Sequence, residues 1–430
     1  MALAPWFQMP KCTTRPKNVA VIGGGIAGNT LAHRLNSKGI DVTIFDKRAG
    51  LAEGASGNPA AIFEPKLMRG ETPLGQYLTS SYLYALQFYK ALETKTGEDI
   101  WHHRGGTLNL IADEKDLKRH QSFPDNAELA REHYAIVNPV QASELAGIPI
   151  SQSAMWYPRG GCINTSSLAR ALTKGLKVSL DCEIASITKQ NQSPTPQWRL
   201  NFKGGQKSLD FDVVIMANAF AARKFEQSQL LPIVMNRGQV STSPRVSLSD
   251  NLKCVVSGAG YLTPLIEEKH VFGATFERLY SFDEAEDCSV VNERHEHNLS
   301  FLKESLPSFA EDILLSDLKG RTSVRGTTFD RLPLVGPLFN HEDYIQNYGL
   351  LKYGAKHRDW TGATYHEGLY ISAGFGSRGF VTAPLMASYL TALITGEETP
   401  IPDQLISSIH PARFAIRDLK RGIIPTSVDP

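Results

Sequence analysis

A glycine-rich turn between an apolar segment and a helix-like segment constrains this chain more than any other feature. Residues 19–22 read Val-Ala-Val-Ile, a short apolar run typical of a strand buried on both faces. Gly23, Gly25 and Gly28 follow with G-x-G-x-x-G spacing. In this motif the first glycine permits a tight turn, the second lets a pyrophosphate approach the backbone, and the third lets the helix pack on the strand. We therefore predict a dinucleotide-binding strand, turn and helix.

The residues after the turn complete the unit. A helix predicted from Ile26 to Ser37 would direct its N-terminal N–H groups, including those of Ile26 and Ala27, at the pyrophosphate. Residues 40–45 alternate like a second strand, and Asp46 stands at its end, 18 residues after Gly28. A carboxylate there can bind the ribose hydroxyls of an adenosine. This context favours a dinucleotide site over a glycine-rich turn in another α/β fold.

Two further segments are candidates for the same site. The loop at 50–61 is rich in small residues, and Ser56 and Asn58 could bond phosphate or ring atoms, although a surface turn would have the same composition. A predicted strand at 212–217 ends in small residues that would leave room beside the first glycine turn. An ordinary parallel strand explains the second segment equally well.

The end of the chain repeats the opening pattern of strand, glycine turn and helix. A predicted strand at 368–373 leads into a turn containing Gly374, Gly376 and Gly379. In the helix that follows, Pro384 suits the first position and Gly396 suits the stop. Its apolar residues are predicted to lie on one face: Leu385, Tyr389, Leu390, Leu393 and Ile394. A second helix N-terminus can stabilise negative charge on a reduced flavin, so two such turns favour FAD over NAD.

Composition limits the remaining possibilities. The formal net charge of +1 over 430 residues gives no bulk field for nucleic acid or membrane, and no apolar run approaches the roughly 20 residues of a membrane helix. The five cysteines lack metal-type spacing, which argues against a zinc site and suits a reducing cytoplasm. We expect no metal and a cytoplasmic location.

The domain organisation is predicted to be discontinuous. Residues 1–17 are interpreted as a tail or linker because prolines interrupt them. Residues 18–98, 161–234 and 331–430 are assigned to a Rossmann-like FAD-binding domain with a parallel sheet. Residues 99–160 and 235–330 are assigned to a β-rich antiparallel substrate domain. The predicted fold class is therefore α/β.

The sequence contains neither a G-x-S-x-G elbow nor a Walker loop, so hydride transfer to a flavin is the chemistry that remains. Arg325 and Arg378 are candidates for holding a substrate carboxylate, because a guanidinium bonds it bidentately. Each could equally be a salt-bridge residue. The basic segment 410–421 carries four cations with apolar residues between them. It is either a solvated helix packed by its apolar face or a contact for nucleic-acid phosphates.

These motifs resemble the glycine oxidase and D-amino-acid oxidase superfamily of FAD enzymes over essentially the whole chain. The shared marks are the opening glycine turn with Asp46, the segment from Arg325 to Gly336, and the last glycine turn. A closer resemblance is to the FAD-dependent half of the MnmC family, bacterial enzymes that modify the wobble uridine of certain tRNAs. The marks of this family are the segments 54–58, 237–239, 260–264, 331–336, 376–379, 383–385 and 410–421.

The resemblance implies a reaction and a set of site residues. The reaction is FAD-dependent oxidation of 5-carboxymethylaminomethyl(-2-thio)uridine in tRNA to the 5-aminomethyl form, with release of glyoxylate. Arg325 and Arg378 would hold the carboxylate of the arm, and Tyr261 is a further candidate to bond it. The candidate FAD-binding residues are Gly23, Gly25, Ile26, Ala27, Gly28, Asp46, Lys47, Ala55, Ser56, Asn58, Ile184, Ala217, Gly376, Ser377, Gly379 and Phe380.

One departure from the family affects the expected partners. Bifunctional members carry a methyltransferase half ahead of the FAD half, whereas this chain begins with a segment, Ala4 to Phe7, that resembles the joint between the halves. A separate methyltransferase acting on the product is therefore expected as a partner, unless the step is absent or the sequence is truncated. Two alternatives stay open: an oxidase of free small amines or amino acids such as glycine or sarcosine, and a non-catalytic FAD- or RNA-binding protein.

Overall fold

The computed structural model describes residues 3–12, 14–68, 72–121, 129, 131–190, 197–356 and 359–424. The chain divides into two compact units. Unit 1 contains residues 1–53, 172–234 and 325–430, and unit 2 contains residues 54–171 and 235–324. The predicted domain ranges include segments outside the described residues, among them 122–128 and 425–430. Residues 54–98, which the sequence analysis assigned to the FAD-binding domain, lie in unit 2.

Within the described residues, the strands are numbered in chain order. They are β1 Asn18–Ile22, β2 Asp41–Phe45, β3 Ala61–Phe63, β4 Trp101–His103, β5 Thr107–Leu110, β6 Ala135–Val137, β7 Ala154–Tyr157, β8 Gly161–Ile163, β9 Lys177–Ser179, β10 Ile184–Gln190, β11 Gln197–Phe202, β12 Leu209–Phe211, β13 Val213–Met216, β14 Val234–Pro244, β15 Val255–Ser257, β16 Tyr261–Leu262, β17 Lys269–Gly273, β18 Glu277–Leu279, β19 Lys319–Thr327, β20 Leu334–Phe339 and β21 Tyr365–Ala373.

The α-helices of the described residues are numbered in the same way. They are α1 Ile26–Ser37, α2 Pro73–Thr96, α3 Glu114–Gln121, α4 Pro139–Ala146, α5 Thr165–Thr173, α6 Phe282–Glu286, α7 Asn292–Ser305, α8 Pro307–Ala310, α9 His341–Tyr348, α10 Gly379–Thr395, α11 Asp403–Ile409 and α12 Arg413–Lys420. Short 3₁₀ helices at Pro5–Phe7, Ala55–Gly57 and Gly349–Tyr353 also matter for the site.

Unit 1 is built on a six-stranded sheet with the order β20-β21-β13-β1-β2-β9. The strands from β21 to β9 run parallel, and β20 is antiparallel to β21. Four of the five residues of β1 are buried, as expected for a central parallel strand. Helices α1 and α10 pack against each other, which brings the first and last glycine turns of the sequence onto neighbouring helices.

Unit 2 contains the larger, mostly antiparallel sheet. Its order is β18-β14-β17-β16-β15-β5-β7-β6, with β19 paired to β14. The pair of β15 with β5 is parallel, whereas the neighbouring pairs are antiparallel. A separate three-stranded sheet has the order β3-β8-β4. The predicted combination of a Rossmann-like parallel sheet with an antiparallel β-rich layer is therefore confirmed.

The last long helix differs from the prediction in two respects. It begins at Gly379, so Pro384 lies inside the helix and not at its first position. The glycine turn starts the helix one and a half turns earlier, and the missing N–H of Pro384 interrupts the hydrogen-bond ladder within it. The helix is also buried on nearly all sides and not on one face. The predicted stop is confirmed, because Gly396 caps the helix with φ of 72°.

The N-terminal segment is docked on unit 1. Trp6 is buried, with its ring 6.0 Å from those of Tyr348 and Trp360. The Tyr344 hydroxyl donates to the carbonyl oxygen of Trp6 at 2.8 Å. These contacts fix a segment that the prolines alone would leave irregular, and they account for the apolar Trp6-Phe7 pair.

Candidate active site

The first glycine turn leaves no room for side chains. A Cβ on Gly28 would lie 1.9 Å from the carbonyl oxygen of Gly23. Gly23 has φ of +109°, and a Cβ there would lie 2.8 Å from the Ala217 oxygen and from the Cα of Asn218. The residues that follow β13 therefore pass directly beside the turn, which is one of the two interpretations that the sequence left open. Ala217 is thus brought to Gly23, one of the candidate cofactor-binding residues.

The helix that follows presents its N-terminus without a side-chain cap. Gly25 is the N-cap residue of α1, and the first turn contains no acidic side chain. The Asn29 side-chain amide donates to the Gly24 carbonyl at 3.0 Å, which holds the turn against the helix. Such an N-terminus, with its N–H groups and positive dipole end, is suited to an anion.

Asp46 lies at the carboxyl end of β2 with a defined orientation. One carboxylate oxygen accepts the Gly24 N–H at 2.7 Å and the other accepts the Arg48 N–H at 2.9 Å. The carboxylate is thereby held against the glycine turn with lone pairs left for further donors. Lys47 is exposed. Ile184, at the start of β10, has its side chain in the hydrophobic core of unit 1.

The last glycine turn meets the first one. A Cβ on Gly379 would lie 3.0 Å from the Cγ2 of Ile26, so α10 begins against the first residue of α1. No side chain caps α10, and its first turn also lacks acidic residues. Ser377 is exposed and Phe380 is half-buried. Two helix N-termini from opposite ends of the sequence therefore lie together in unit 1.

Arg325 and Arg378 belong to backbone segments that are hydrogen-bonded to each other. The Gly376 N–H donates to the Gly326 carbonyl at 2.9 Å, and Thr327 pairs with Phe375 in an isolated antiparallel bridge. Arg325 is 8% exposed, and Arg378 is half-buried at the N-cap of α10. The two arginines are thus carried by adjoining backbone segments, in agreement with their prediction as a pair.

The Gly326 segment also contacts the region beside the first turn. A Cβ on Gly326 would lie 3.0 Å from the backbone nitrogen of Phe220, and Ala219 stands next to it with φ of 53°. Since Asn218 touches Gly23, the backbone contacts connect the first turn, residues 217–220, Gly326 and the last turn. The described part of unit 1 therefore gathers most of the predicted cofactor residues.

The remaining predicted residues lie in unit 2. Ala55 and Ser56 form a 3₁₀ turn, and Arg321 donates to the Gly54 carbonyl at 2.7 Å and to the Asn58 side-chain oxygen at 3.0 Å. Thr165 donates to the Asn58 carbonyl. Sequence reasoning missed Arg321, because it lies more than 260 residues from the loop it holds. Tyr261 begins β16, elsewhere in the unit.

Unit 1 contains buried polar atoms that fit a bound dinucleotide. Among the described residues, the Oδ1 atoms of Asn218 and Asn29 are buried and have no hydrogen-bond partner. Buried polar groups are rarely left unsatisfied, and when they are, a ligand or water commonly supplies the partner. Asn218 adjoins Gly23 and Asn29 bonds Gly24, so both oxygens flank the first glycine turn, where as acceptors they could bond the hydroxyl or amino groups of a dinucleotide. The residues present therefore fit FAD.

The first residues of the basic segment 410–421 make hydrogen bonds within the protein. Arg413 donates to both carboxylate oxygens of Asp330 at 2.8 Å and to the carbonyl oxygens of Leu332 and Pro333. Burial raises the pKa of Asp330, but the hydrogen bonds and charge of Arg413 outweigh this and lower it. Arg413 is therefore committed to the loop beside the last glycine turn and is removed from the candidate nucleic-acid contacts.

His410 is also structural and electrically neutral. Its Nδ1 accepts the Ala412 N–H at 3.0 Å, so the proton lies on Nε2, which is 3.0 Å from the Tyr365 hydroxyl. The same hydroxyl donates to the Gln8 carbonyl. Complete burial, reinforced by the charge of Arg413, lowers the pKa of His410 to about 3. The motif at 410–413 thus fastens the C-terminal helix and the N-terminal segment.

Comparison with known proteins decides the family. Residues 18–393 match the DAO family, described as FAD dependent oxidoreductase. The chain belongs to this family of FAD-dependent oxidoreductases. The family is FAD-dependent, in agreement with the geometry of the two glycine turns.

Curated relatives of this FAD-dependent oxidoreductase share one name. The tRNA 5-methylaminomethyl-2-thiouridine biosynthesis bifunctional protein MnmC of Chromobacterium violaceum is 33% identical over 424 residues, which is 97% of this chain. The protein of the same name from Magnetococcus marinus is 31% identical over 427 residues. The chain spans 62% of the length of each of these relatives. The predicted resemblance to MnmC is confirmed.

Solved structures support the fold. Glycine oxidase from Geobacillus kaustophilus superposes with a TM-score of 0.71 at 21% identity, covering 93% of this chain and 99% of that one. L-proline dehydrogenase from P. horikoshii superposes with a TM-score of 0.69 at 18% identity, covering 93% and 98%. At these identities the likeness concerns the fold.

The described residues contain neither a membrane-spanning helix nor a cluster of metal ligands. None of their helices combines the length and the apolar character needed to cross a membrane. No group of three or more His, Cys, Asp or Glu side chains is placed among them to hold a metal ion.

Proposed function

We propose that this protein oxidises the 5-carboxymethylaminomethyl group of a tRNA wobble uridine, with or without a 2-thio group, to the 5-aminomethyl form and releases glyoxylate. The observation that carries the proposal is the hydrogen-bonded pair of segments bearing Arg325 and Arg378, next to the two glycine turns. The printed name of the relatives, which concerns tRNA 5-methylaminomethyl-2-thiouridine biosynthesis, supports the same substrate class.

The two glycine turns would hold FAD. Gly23, Gly25 and Gly28 with the N-terminus of α1 would accept the pyrophosphate, and Asp46 would accept the ribose hydroxyls. The N-terminus of α10, after Gly376, would face the ring system. When bound, FAD supplies the two-electron acceptor for hydride transfer from an amine-bearing carbon.

The side chains of the protein would bind and orient the arm of the substrate. Arg325 and Arg378 would each present a planar fork to its carboxylate, and Tyr261 stays a candidate ligand on the family resemblance alone. Fixing the carboxylate fixes the adjacent methylene, whose C–H bond is the one broken. Loss of hydride leaves an imine, and water converts the imine into glyoxylate and the primary amine that stays on the uridine.

A basic patch on unit 1 is our candidate for contact with the tRNA backbone. We define it as Lys352, Arg417, Lys420 and Arg421, all of which are exposed. A Cβ on Gly422 would lie 3.8 Å from the Lys352 side chain, which joins the C-terminal end of α12 to the Gly349–Tyr353 turn.

The composition of the patch favours a nucleic acid. Tyr353 is 72% exposed, and the Lys352 ammonium lies 5.0 Å from the centre of its ring. Exposed aromatic rings beside cations suit unpaired bases next to phosphates. Arg417 also pairs with Asp418 at 2.8 Å, so part of its charge is compensated. Arg413, at the other end of α12, binds the loop beside the last glycine turn, which links the patch to the proposed site.

Glyoxylate release from undermodified tRNA tests this function. Total tRNA carrying the carboxymethylaminomethyl group would be incubated with the FAD-loaded protein, and glycine and sarcosine would be assayed in parallel. Glyoxylate from tRNA but from neither free amine is the expected result. Efficient turnover of glycine or sarcosine with no reaction of tRNA would replace the proposal with an oxidase of free amines. A protein that never transfers electrons to bound FAD from any of these would be a binding protein.

A further inference from the structure

Most of the large apolar side chains that unit 1 exposes, among its described residues, lie around helix α12. These exposed side chains are Leu209, Phe329, Leu350, Tyr353, Ile423 and Ile424. Leu350 and Tyr353 belong to the 3₁₀ turn Gly349–Tyr353, which packs against α12, and Ile423 and Ile424 follow the end of this helix. Since exposed apolar side chains scattered singly are ordinary, their concentration beside the cations of the basic patch indicates an interaction surface.

Phe329 joins this surface from the loop that follows β19. Its side chain is 52% exposed, and its ring centre lies 6.3 Å from that of Phe414 on α12, in an edge-to-face arrangement. The guanidinium group of Arg417 lies over the same Phe414 ring, 5.0 Å from its centre. Phe329 and Arg417 therefore contact one buried ring, which brings an exposed aromatic side chain close to a cation of the basic patch.

Hydrogen bonds fix the backbone on both sides of Phe329. Thr328 is buried, and its hydroxyl donates to the Leu332 carbonyl oxygen at 2.6 Å. The Asp330 carboxylate accepts the Leu332 N–H at 3.1 Å and two N–H groups of Arg413 at 2.8 Å. An aromatic ring carried by a fixed loop loses little conformational entropy when it binds a ligand, which favours its use as a stacking surface.

The loop that carries Phe329 is also close to the proposed carboxylate anchor. Arg325 precedes Phe329 by four residues, so their Cα atoms are at most about 14 Å apart. A Cβ on Gly374, in the last glycine turn, would lie 3.1 Å from the Cγ2 of Thr328. Contacts within unit 1 therefore lead from the segments of the anchor through Phe329 to the basic patch.

We propose that Phe329 stacks on an unpaired base next to the wobble uridine when the anchor holds the arm of that uridine. This inference rests on the proposed function and names a residue that distinguishes tRNA from a free amine. Every base has a flat face that can lie on an aromatic ring, whereas glycine and sarcosine have none. The cations of the basic patch favour an occupant that carries phosphates, and they would hold the backbone of the same RNA loop.

Equilibrium binding of an RNA hairpin tests the stacking contact without turnover. The hairpin has the anticodon stem and loop of a tRNA whose wobble position is an unmodified uridine. Phe329→Ala should bind it roughly 5- to 150-fold more weakly than wild type, the range expected when a ring that stacks on a base is removed. Phe329→Trp should bind like wild type. Phe276→Ala is the matched control, because Phe276 is 62% exposed on unit 2 and belongs to neither the anchor nor the basic patch.

Salt dependence and base removal separate stacking from a structural role. Phe329→Ala should keep the wild-type slope of log affinity against log salt, because it removes no phosphate contact. Removing the base on one side of the wobble uridine should weaken binding by wild type and leave Phe329→Ala unaffected. Equal effects of base removal on both proteins would overturn the proposal. Wild-type affinity of Phe329→Ala would also overturn it and leave the apolar surface to a protein partner. Should Phe329→Ala fail to fold, Phe329→Leu, which keeps apolar bulk without a ring, takes its place.

Measuring binding and turnover separately keeps this test distinct from that of the proposed function. If wild-type protein binds the hairpin through Phe329 but releases no glyoxylate from undermodified tRNA, the reaction fails and the stacking contact stands. If wild-type protein releases glyoxylate and Phe329→Ala binds the hairpin equally well, the reaction stands and the stacking contact is refuted. A wild-type protein that does not bind the hairpin would refute the stacking contact whatever its turnover.

Discussion

The backbone N–H of Gly376 donates a 2.9 Å hydrogen bond to the carbonyl oxygen of Gly326. Gly326 directly follows Arg325, and Gly376 precedes Arg378 by two positions. This bond and the bridge between Thr327 and Phe375 join the two segments whose guanidinium groups we propose as the carboxylate anchor. The bond holds the backbone next to Arg325 against the turn that leads to Arg378.

The third glycine of the opening turn gives the first prediction. In Gly28→Ala the new Cβ would meet the Gly23 carbonyl oxygen at 1.9 Å, so α1 must move away from β1. We expect a cost of about 1–3 kcal/mol in the free energy of unfolding and a clear loss of bound FAD. The flavin absorbance of the purified protein measures the bound FAD. Gly349→Ala is the control, because no atom lies within 4 Å of its added Cβ. Equal flavin content in both variants would refute the role of the turn.

Arg325 gives a prediction about substrate binding. Arg325→Lys keeps a positive charge but loses the planar fork that bonds both oxygens of a carboxylate. KM for the tRNA substrate should rise by at least about tenfold, the equivalent of roughly 1.4 kcal/mol, while the flavin stays bound. Steady-state kinetics with the flavin spectrum as a folding check would measure both. Arg199→Lys, whose partner is the exposed Asp210, should behave like wild type. An unchanged KM for Arg325→Lys would remove it from the anchor.

His410 gives a prediction about acid stability. Its pKa of about 3 in the folded protein lies below the ordinary value near 6.5, so the unfolded chain binds a proton first as pH falls. The contribution of His410 to stability is therefore present above about pH 6.5 and is lost progressively between there and about pH 3. The free energy of unfolding of His410→Gln should therefore fall less than that of wild type as the pH is lowered through this window. The denaturant midpoint at each pH measures this. Parallel pH profiles for the two proteins would contradict the neutral, buried imidazole.

The basic patch gives a prediction about tRNA affinity. Changing Arg417 and Lys420 to Glu should weaken tRNA binding and reduce the slope of log affinity against log salt, because fewer counterions are released. Lys203→Glu is the control. Lys203 pairs with Glu183 on unit 1, away from the basic patch, so this variant tests whether the loss of any surface cation weakens tRNA binding equally. Binding would be measured by filter retention at several salt concentrations. If the double variant binds tRNA as wild type does, α12 is only a packed helix.

Local patterns predicted the elements of unit 1 well. The helix expected at 26–37 is α1, and the strand expected near 40–45 is β2, since both depend on periodicity within a few residues. The predicted start of α10 was wrong. Proline favours the first helical position in general, whereas here the turn at Gly376–Gly379 sets the start of the helix. Neighbouring residues alone do not reveal that competition.

The contacts that complete the site join residues far apart in sequence. Arg413 meets Asp330 across 83 residues, and Arg321 reaches Asn58 across 263. No motif or periodicity marks such pairs, so the sequence left the segment of Arg413 open between a packed helix and a nucleic-acid contact, and it did not predict Arg321 at all.

Mass spectrometry of tRNA nucleosides before and after incubation with the FAD-loaded protein tests the central claim most directly. The account predicts that 5-carboxymethylaminomethyluridine, or its 2-thio form, disappears and that an equal amount of the 5-aminomethyl nucleoside takes its place. It also predicts that an Arg325→Ala protein with its flavin bound leaves the starting nucleoside largely intact. An unchanged nucleoside profile with flavin-loaded wild-type protein would contradict the account.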